Sequence, residues 1–239
     1  MSRLAPALLL LALVGCERPP DVVLISIDTL RVDHVSAFDP TSPSRTPHLD
    51  RLAEDGVRFS RAYSPVSVTG PAFCTVHTGQ TPSTHGVFMN VFRGGPFLSA
   101  SETTIAEHLA ARGHRTAAFV SGFTLRAELN LDQGFEVYNA PIGRNRTGAA
   151  SRRQVEAWWD TVPEQDRMFL WYHSFDPHGP LGRWGGRGDV SRWRHDAAEL
   201  EHYPKYQRIG GISDDRYYAT RYARAVRATD QEVGVLLAR

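Results

Sequence analysis

Asp28 closes the run Val22-Val23-Leu24-Ile25-Ser26-Ile27, and His173 closes Met168-Phe169-Leu170-Trp171-Tyr172. A carboxylate can hold a hard cation, and an imidazole can take or give a proton near neutral pH. A polar residue that ends an apolar, β-branched run faces a crevice when the run is a strand of a parallel sheet. Asp176 and His178 follow within Phe175-Asp176-Pro177-His178-Gly179-Pro180, and Thr69 opens Thr69-Gly70-Pro71. Each has a plainer reading. Asp28 also fits a solvated loop carboxylate or helix cap, His173 a core histidine bonded to backbone, and His178 a turn residue. His85, in Thr84-His85-Gly86-Val87, reads as structural, and Cys74 as a buried structural thiol.

These residues need elements to position them. Asp21 to Ile27 reads as a strand buried on both faces. Thr46-Pro47 supplies an N-cap and a first-turn proline, Leu49, Leu52 and Ala53 form a stripe, and Gly56 stops the helix. Val57 to Tyr63 is predicted to return as a strand. Thr104-Ile105-Ala106-Glu107 is a capping box opening a helix that ends at Gly113. Arg115 to Ser121 is strand-like, Arg152 to Val162 helical, and Arg167 to His173 another inner strand. Pro180 to Ser213 has no clear periodicity and reads as a long surface excursion. Asp214 to Arg239 is helical, with Tyr218, Tyr222, Val226, Val233 and Leu237 on one stripe. The βαβα alternation predicts an α/β fold: a mostly parallel sheet with helices on both faces and a ligand site beyond the carboxyl ends of its strands.

The formal net charge of +1 leaves no basic stripe, so neither a nucleic-acid partner nor adsorption to an anionic membrane is expected. Met1-Ser2-Arg3 precedes an apolar run from Leu4 to Val14 that is too short to span a bilayer. It leads into Leu13-Val14-Gly15-Cys16, which resembles the lipobox of bacterial lipoproteins. The expectation is a signal peptide over 1–15, lipid on Cys16, a tether over 16–20, and a place in the bacterial cell envelope, facing the periplasm or exterior. A plain cleaved signal with an incidental cysteine is the alternative. With Cys16 acylated, Cys74 is the one thiol left, so no internal disulfide forms.

Leu24-Ile25-Ser26-Ile27-Asp28-Thr29-Leu30-Arg31, Thr46-Pro47-His48-Leu49-Asp50-Arg51-Leu52-Ala53, Thr69-Gly70-Pro71 leading to His77-Thr78-Gly79, and Phe175 to Pro180 together resemble the sulfatase family of the alkaline-phosphatase superfamily. The resemblance runs over nearly all of the chain after the signal segment, and implies a catalytic domain over 21–239 with an alkaline-phosphatase-like fold. It implies a divalent metal at Asp28, usually calcium, with Mg2+, Mn2+ and Zn2+ left open. The second acidic ligand is replaced by Thr29, a neutral oxygen, so affinity should fall. Thr69 falls at the nucleophile position. Pro71 matches, Phe73 stands where an Arg is expected, and Thr cannot become formylglycine. Thr69 either attacks directly, as in threonine-using members of the superfamily, or merely caps a helix. His178 would protonate the leaving oxygen, and Asp176 and His173 would contact substrate. Where the family carries a Lys and a His that grip sulfate, Phe119 to Leu125 offers hydroxyls only.

The family's remaining metal ligands lie on a strand after the helix that ends this chain, so the domain is expected to be truncated at its C-terminus. The implied function is metal-dependent hydrolysis of a small-molecule or glycan sulfate ester. A phosphodiesterase or phosphotransferase using Thr69 is the second reading, and an inactive or truncated lipoprotein the third. Metal identity, natural substrate and oligomeric state are not set by the sequence.

Overall fold

The β-branched and aromatic runs become strands that share one sheet. In the computed structural model, which describes residues 20–90, 97–179 and 193–239, the strands are β1 (Val22–Ile27), β2 (His114–Val120), β3 (Val137–Asn139) and β4 (Arg167–Ser174). All pairs are parallel, in the order β1-β4-β2-β3. The register sets Ile27 against Ser174 and Val120 against His173. The carboxyl ends of β1, β4 and β2 therefore finish level, and the Asp28 amide donates to the Ser174 carbonyl at 2.9 Å.

Helices cover both faces: α1 (Pro47–Asp55), α2 (Thr69–Thr78), α3 (Pro82–His85), α4 (Ile105–Ala110), α5 (Gly148–Trp159), α6 (Ala197–Leu200) and α7 (Asp215–Leu237). Side chains alternate across a strand, and the two cores follow from that period. Ala117, Phe119, Met168, Leu170 and Tyr172 pack with Val155 and Trp158 of α5 and Val233 and Leu236 of α7. Ala118, Val120 and Trp171 point the other way, onto Cys74 of α2 with Leu98, Leu125, Leu129 and Leu131. The expected α/β architecture is therefore present.

Several expectations shift. Val57 to Tyr63 is not a strand. Val57, Phe59 and Tyr63 are 82%, 74% and 87% exposed, and no neighbouring edge pairs with them, so alternation alone does not make sheet. The Thr104–Glu107 capping box forms. Helix α5 starts a turn earlier than Arg152, because the Thr147 hydroxyl accepts from the Ala150 amide and caps it. Thr46 makes no side-chain cap on α1. Its hydroxyl instead meets Ser36 and Asp50, and the α1 amides of His48 and Leu49 donate to the carboxylate of Asp230 on α7 at 3.3 and 2.9 Å.

On α7 the buried face runs through Tyr217, Arg221, Ala225, Val226, Thr229, Asp230 and Val233, while Leu237 is exposed. The stripe is rotated from the apolar reading because buried polar residues belong to it. Of the excursion from Pro180 to Ser213, 180–192 lie outside the described residues. The remainder carries α6 and packs Ile209 and Ile212 onto Tyr217 and Ala225. Cys16 and residues 1–19 likewise lie outside. No helix among the described residues is long and apolar enough to cross a membrane.

Candidate active site

The level strand ends place Asp28 at the mouth of a cleft of about 750 Å³, lined also by Thr29, Thr69, Phe73, Asn90 and His178. That is a size that takes a small ligand. Asp28 is 8% exposed. The Thr69 hydroxyl donates to Asp28 Oδ2 at 3.1 Å, long for an O–H···O bond. Thr69 is the first helical residue of α2, behind Val68 at the N-cap, and its side chain caps nothing. The capping alternative therefore fails. The hydroxyl is turned out of the helix toward the carboxylate.

A helix that starts at Val68 must find its acceptor elsewhere. Asn90 supplies it, its Oδ1 accepting from the Gly70 amide at 2.7 Å. With Oδ1 engaged, the two N–H donors of the Asn90 amide are left at a residue that lines the cleft beside Thr69. Sequence reasoning missed Asn90. The one signal was the absence of a capping side chain at Val68, which obliges a distant residue to serve.

His173 is fully buried and is not a cleft residue. Its Nδ1 accepts from the Ser121 amide at 3.3 Å, which assigns the ring proton to Nε2. Nε2 faces Asp28 Oδ2 at 3.6 Å, beyond hydrogen-bond reach but close enough to orient the carboxylate electrostatically. The ring of Phe73, in the position expected for an Arg, packs edge-on against it with centroids 5.2 Å apart. His173 therefore touches Asp28 where direct substrate contact had been expected, because it sits beneath the cleft floor.

Asp176 is also placed away from the cleft. It is 6% exposed, and its Oδ2 accepts from the Gly148 amide at 2.8 Å. The amino end of a helix is a favourable place for a buried carboxylate, and the Asp176 carboxylate is committed to α5 in place of substrate. His178 does line the cleft. It stacks on Phe175 with centroids 4.2 Å apart, and its Nδ1 lies 2.6 Å from the Gly179 carbonyl, so Nδ1 carries a proton and Nε2 is the free nitrogen. In the run Phe119 to Leu125, Ser121 bonds Ser151 and Thr124 is buried. Neither lines the cleft.

Cys74 is completely buried in the α2 core, and burial raises its thiol pKa to about 12, which keeps it unreactive. His85 spends both ring nitrogens inside the fold, on Thr75 and the Val87 amide. As to a metal, Asp28, Thr29 and Thr69 offer oxygen donors only, the set a hard cation prefers. Among the described residues no group of three His, Cys, Asp or Glu side chains converges. The donors fit such an ion in kind and provide part of a coordination shell.

The profile of the Sulfatase family matches residues 20–239. The chain belongs to the sulfatase family. Human arylsulfatase A is 42% identical over 119 residues, a match that covers 47% of this chain and 23% of that protein. The phosphonate monoester hydrolase of Agrobacterium radiobacter superposes with a TM-score of 0.67 at 20% identity, over 92% of this chain and 59% of its own. A protein solved in complex with its substrate D-glucosamine-2-N,6-O-disulfate gives a TM-score of 0.67 at 15% identity, over 92% of this chain and 61% of its own. The two structural likenesses establish the fold. This sulfatase-family chain thus spans about a quarter of the length of arylsulfatase A and about three-fifths of those solved chains. It is a sulfuric ester hydrolase-like protein by descent.

Proposed function

We propose that the cleft hydrolyses sulfate esters of small molecules or glycans, with Thr69 as nucleophile. The observation that carries the reading is the Thr69 hydroxyl turned toward Asp28 Oδ2 at 3.1 Å inside the cleft. The family is generally metal-dependent. A divalent cation held by the oxygens of Asp28, Thr29 and Thr69, calcium in the first instance, would lower the hydroxyl pKa and screen the ester's charge. Asp28 accepts the Thr69 proton that it already faces. His173 holds that carboxylate in place from below, and the Asn90 amide offers donors to the ester's outer oxygens. Attack forms a bond from Thr69 Oγ1 to sulfur and breaks the bond to the alcohol or phenol oxygen. That oxygen takes a proton from His178 Nε2 when the ring holds its second proton, Nδ1 keeping its own on the Gly179 carbonyl. Water then gives a proton to His178 Nε2 and attacks the same sulfur, and Asp28 returns its proton to Thr69 Oγ1 as sulfate leaves.

The lack of Lys and Arg among the described residues of the cleft wall supports an ester with a single negative charge. A phosphodiester carries the same charge, and Thr69 attacks phosphorus by the same step. A phosphoester hydrolase or phosphotransferase is therefore the second reading, and the phosphonate monoester hydrolase that shares the fold is in keeping with it. We further propose that lipid on Cys16 holds the protein at the bacterial cell envelope.

The test is turnover of 4-nitrophenyl sulfate against bis(4-nitrophenyl) phosphate by the purified chain with Ca2+. Thr69→Ala is expected to lower turnover at least ~10³-fold with the far-UV circular dichroism unchanged. Equal turnover by the variant removes Thr69 as nucleophile, and preference for the phosphodiester selects the second reading.

A further inference from the structure

Thr29 adopts a left-handed backbone conformation, φ +57°, between the carboxylate of Asp28 and the turn that follows. A β-branched residue rarely adopts this conformation, and the strain persists only where the surroundings hold the backbone in place. The local contact of Thr29, from its hydroxyl to the Asp28 carbonyl at 2.7 Å, does not reach outside the turn. The outside hold comes from α7. Tyr222 donates its phenol hydrogen to the Thr29 carbonyl at 2.6 Å, and the phenol oxygen accepts from the Arg31 amide at 2.8 Å. One phenol therefore pins the backbone on both sides of Leu30. Its ring is itself braced edge-on by His34, with centroids 4.6 Å apart.

We propose that Tyr222 is a positioning residue for the Asp28 carboxylate: by clamping the strained Thr29 turn from α7, it fixes the direction in which Asp28 presents oxygen to Thr69 and to a divalent cation. The proposal rests on the hydrolase reading for its purpose, but not for its geometry. Thr29 itself lines the cleft, so relaxation of its φ would move one oxygen donor and re-aim another. Outer-shell groups that orient a ligand carboxylate commonly change metal affinity 10- to 100-fold.

The experiment uses the full chain and the variants Tyr222→Phe, Thr29→Gly and the double variant, since glycine takes positive φ without strain. Calorimetric Ca2+ titration is expected to show about 10-fold weaker binding in Tyr222→Phe. The double variant should match Thr29→Gly within about twofold, because an unstrained turn needs no clamp. An equal loss in both backgrounds, or none in either, overturns the proposal. A second arm needs no cation. In the metal-free protein, amide hydrogen exchange of Arg31, whose N–H the phenol oxygen accepts, should rise at least ~10-fold in Tyr222→Phe, and unchanged exchange overturns the clamp outright. If the parent chain binds no Ca2+, the metal part of the functional reading falls and the exchange arm alone decides Tyr222.

Discussion

His77 shows what a single buried side chain asks of its surroundings. It lies in the last turn of α2, 1% exposed, with both ring nitrogens unpartnered among the described residues. Its ring lies against Trp171 with centroids 4.3 Å apart. Burial lowers its pKa to about 3, so it is neutral when folded and charges only on unfolding. The unfolded chain, at an ordinary pKa near ~6.5, then binds the extra proton between those values. Stability should therefore fall as pH drops from about 6.5 toward 3, by up to ~1.4 kcal/mol per unit from this group. Urea denaturation across that range should show the slope, and His77→Leu should flatten it while raising stability at pH 7 by about 1 kcal/mol. A parallel slope in the variant would assign the acid sensitivity to other groups. At Thr69 and Asp28 the same attention to partners distinguishes a capping hydroxyl from one that faces a carboxylate: the hydroxyl bonds the carboxylate and no amide of its own helix.

Between elements, the decisive contacts come from α7. Asp230, 1% exposed, caps α1 across the fold, and the raised pKa of its carboxyl reflects burial, offset by the two amides that it accepts. Asp230→Ala should cost about 1–2 kcal/mol, in the range of a lost helix cap. Asp230→Asn, which keeps an acceptor, should lose less. Chemical denaturation of the three proteins checks the order, and equal losses in both variants would mean that the amides are not what Asp230 serves. Local signals read well where the cause was local. The Thr104–Glu107 box, Gly56 behind α1 and the apolar runs of β2 and β4 all act within a few residues. Thr46 misled because its hydroxyl oxygen accepts from the Ser36 amide while its hydrogen goes to Asp50, and Val57 to Tyr63 misled because a strand needs a partner edge that no local pattern reports.

For the whole molecule, the parallel sheet explains why residues from Asp28 to His178 share one end: parallel pairing stacks carboxyl ends together, and the register fixes how level they lie. The apolar segment ahead of Cys16 bears on where the molecule resides. On the proposal that Cys16 carries lipid, the full chain expressed in a bacterial host should fractionate with membranes, and Cys16→Ser should release it to the soluble periplasmic fraction, since that one residue would carry the acyl chains. Retention of the variant on membranes would rule out lipid on Cys16 as the anchor.

The sequence by itself determined the family, the α/β class, the main strands and helices, and the presence of Asp28 at a strand end, Thr69 at a helix start and His178 in the loop beyond β4. These follow from periodicity, from capping and turn residues, and from motif order, all of which are written in residue types at short spacing. Tertiary structure alone decided which of the candidates face one another. It buried His173 beneath Asp28, turned Asp176 onto the start of α5, brought Asn90 to α2, and laid Tyr222 across the Thr29 turn. Those pairings join residues separated by between 20 and 193 positions, and they arise from the demand that buried donors and acceptors be satisfied. That demand acts through space, so no reading along the chain reveals which distant group will meet it.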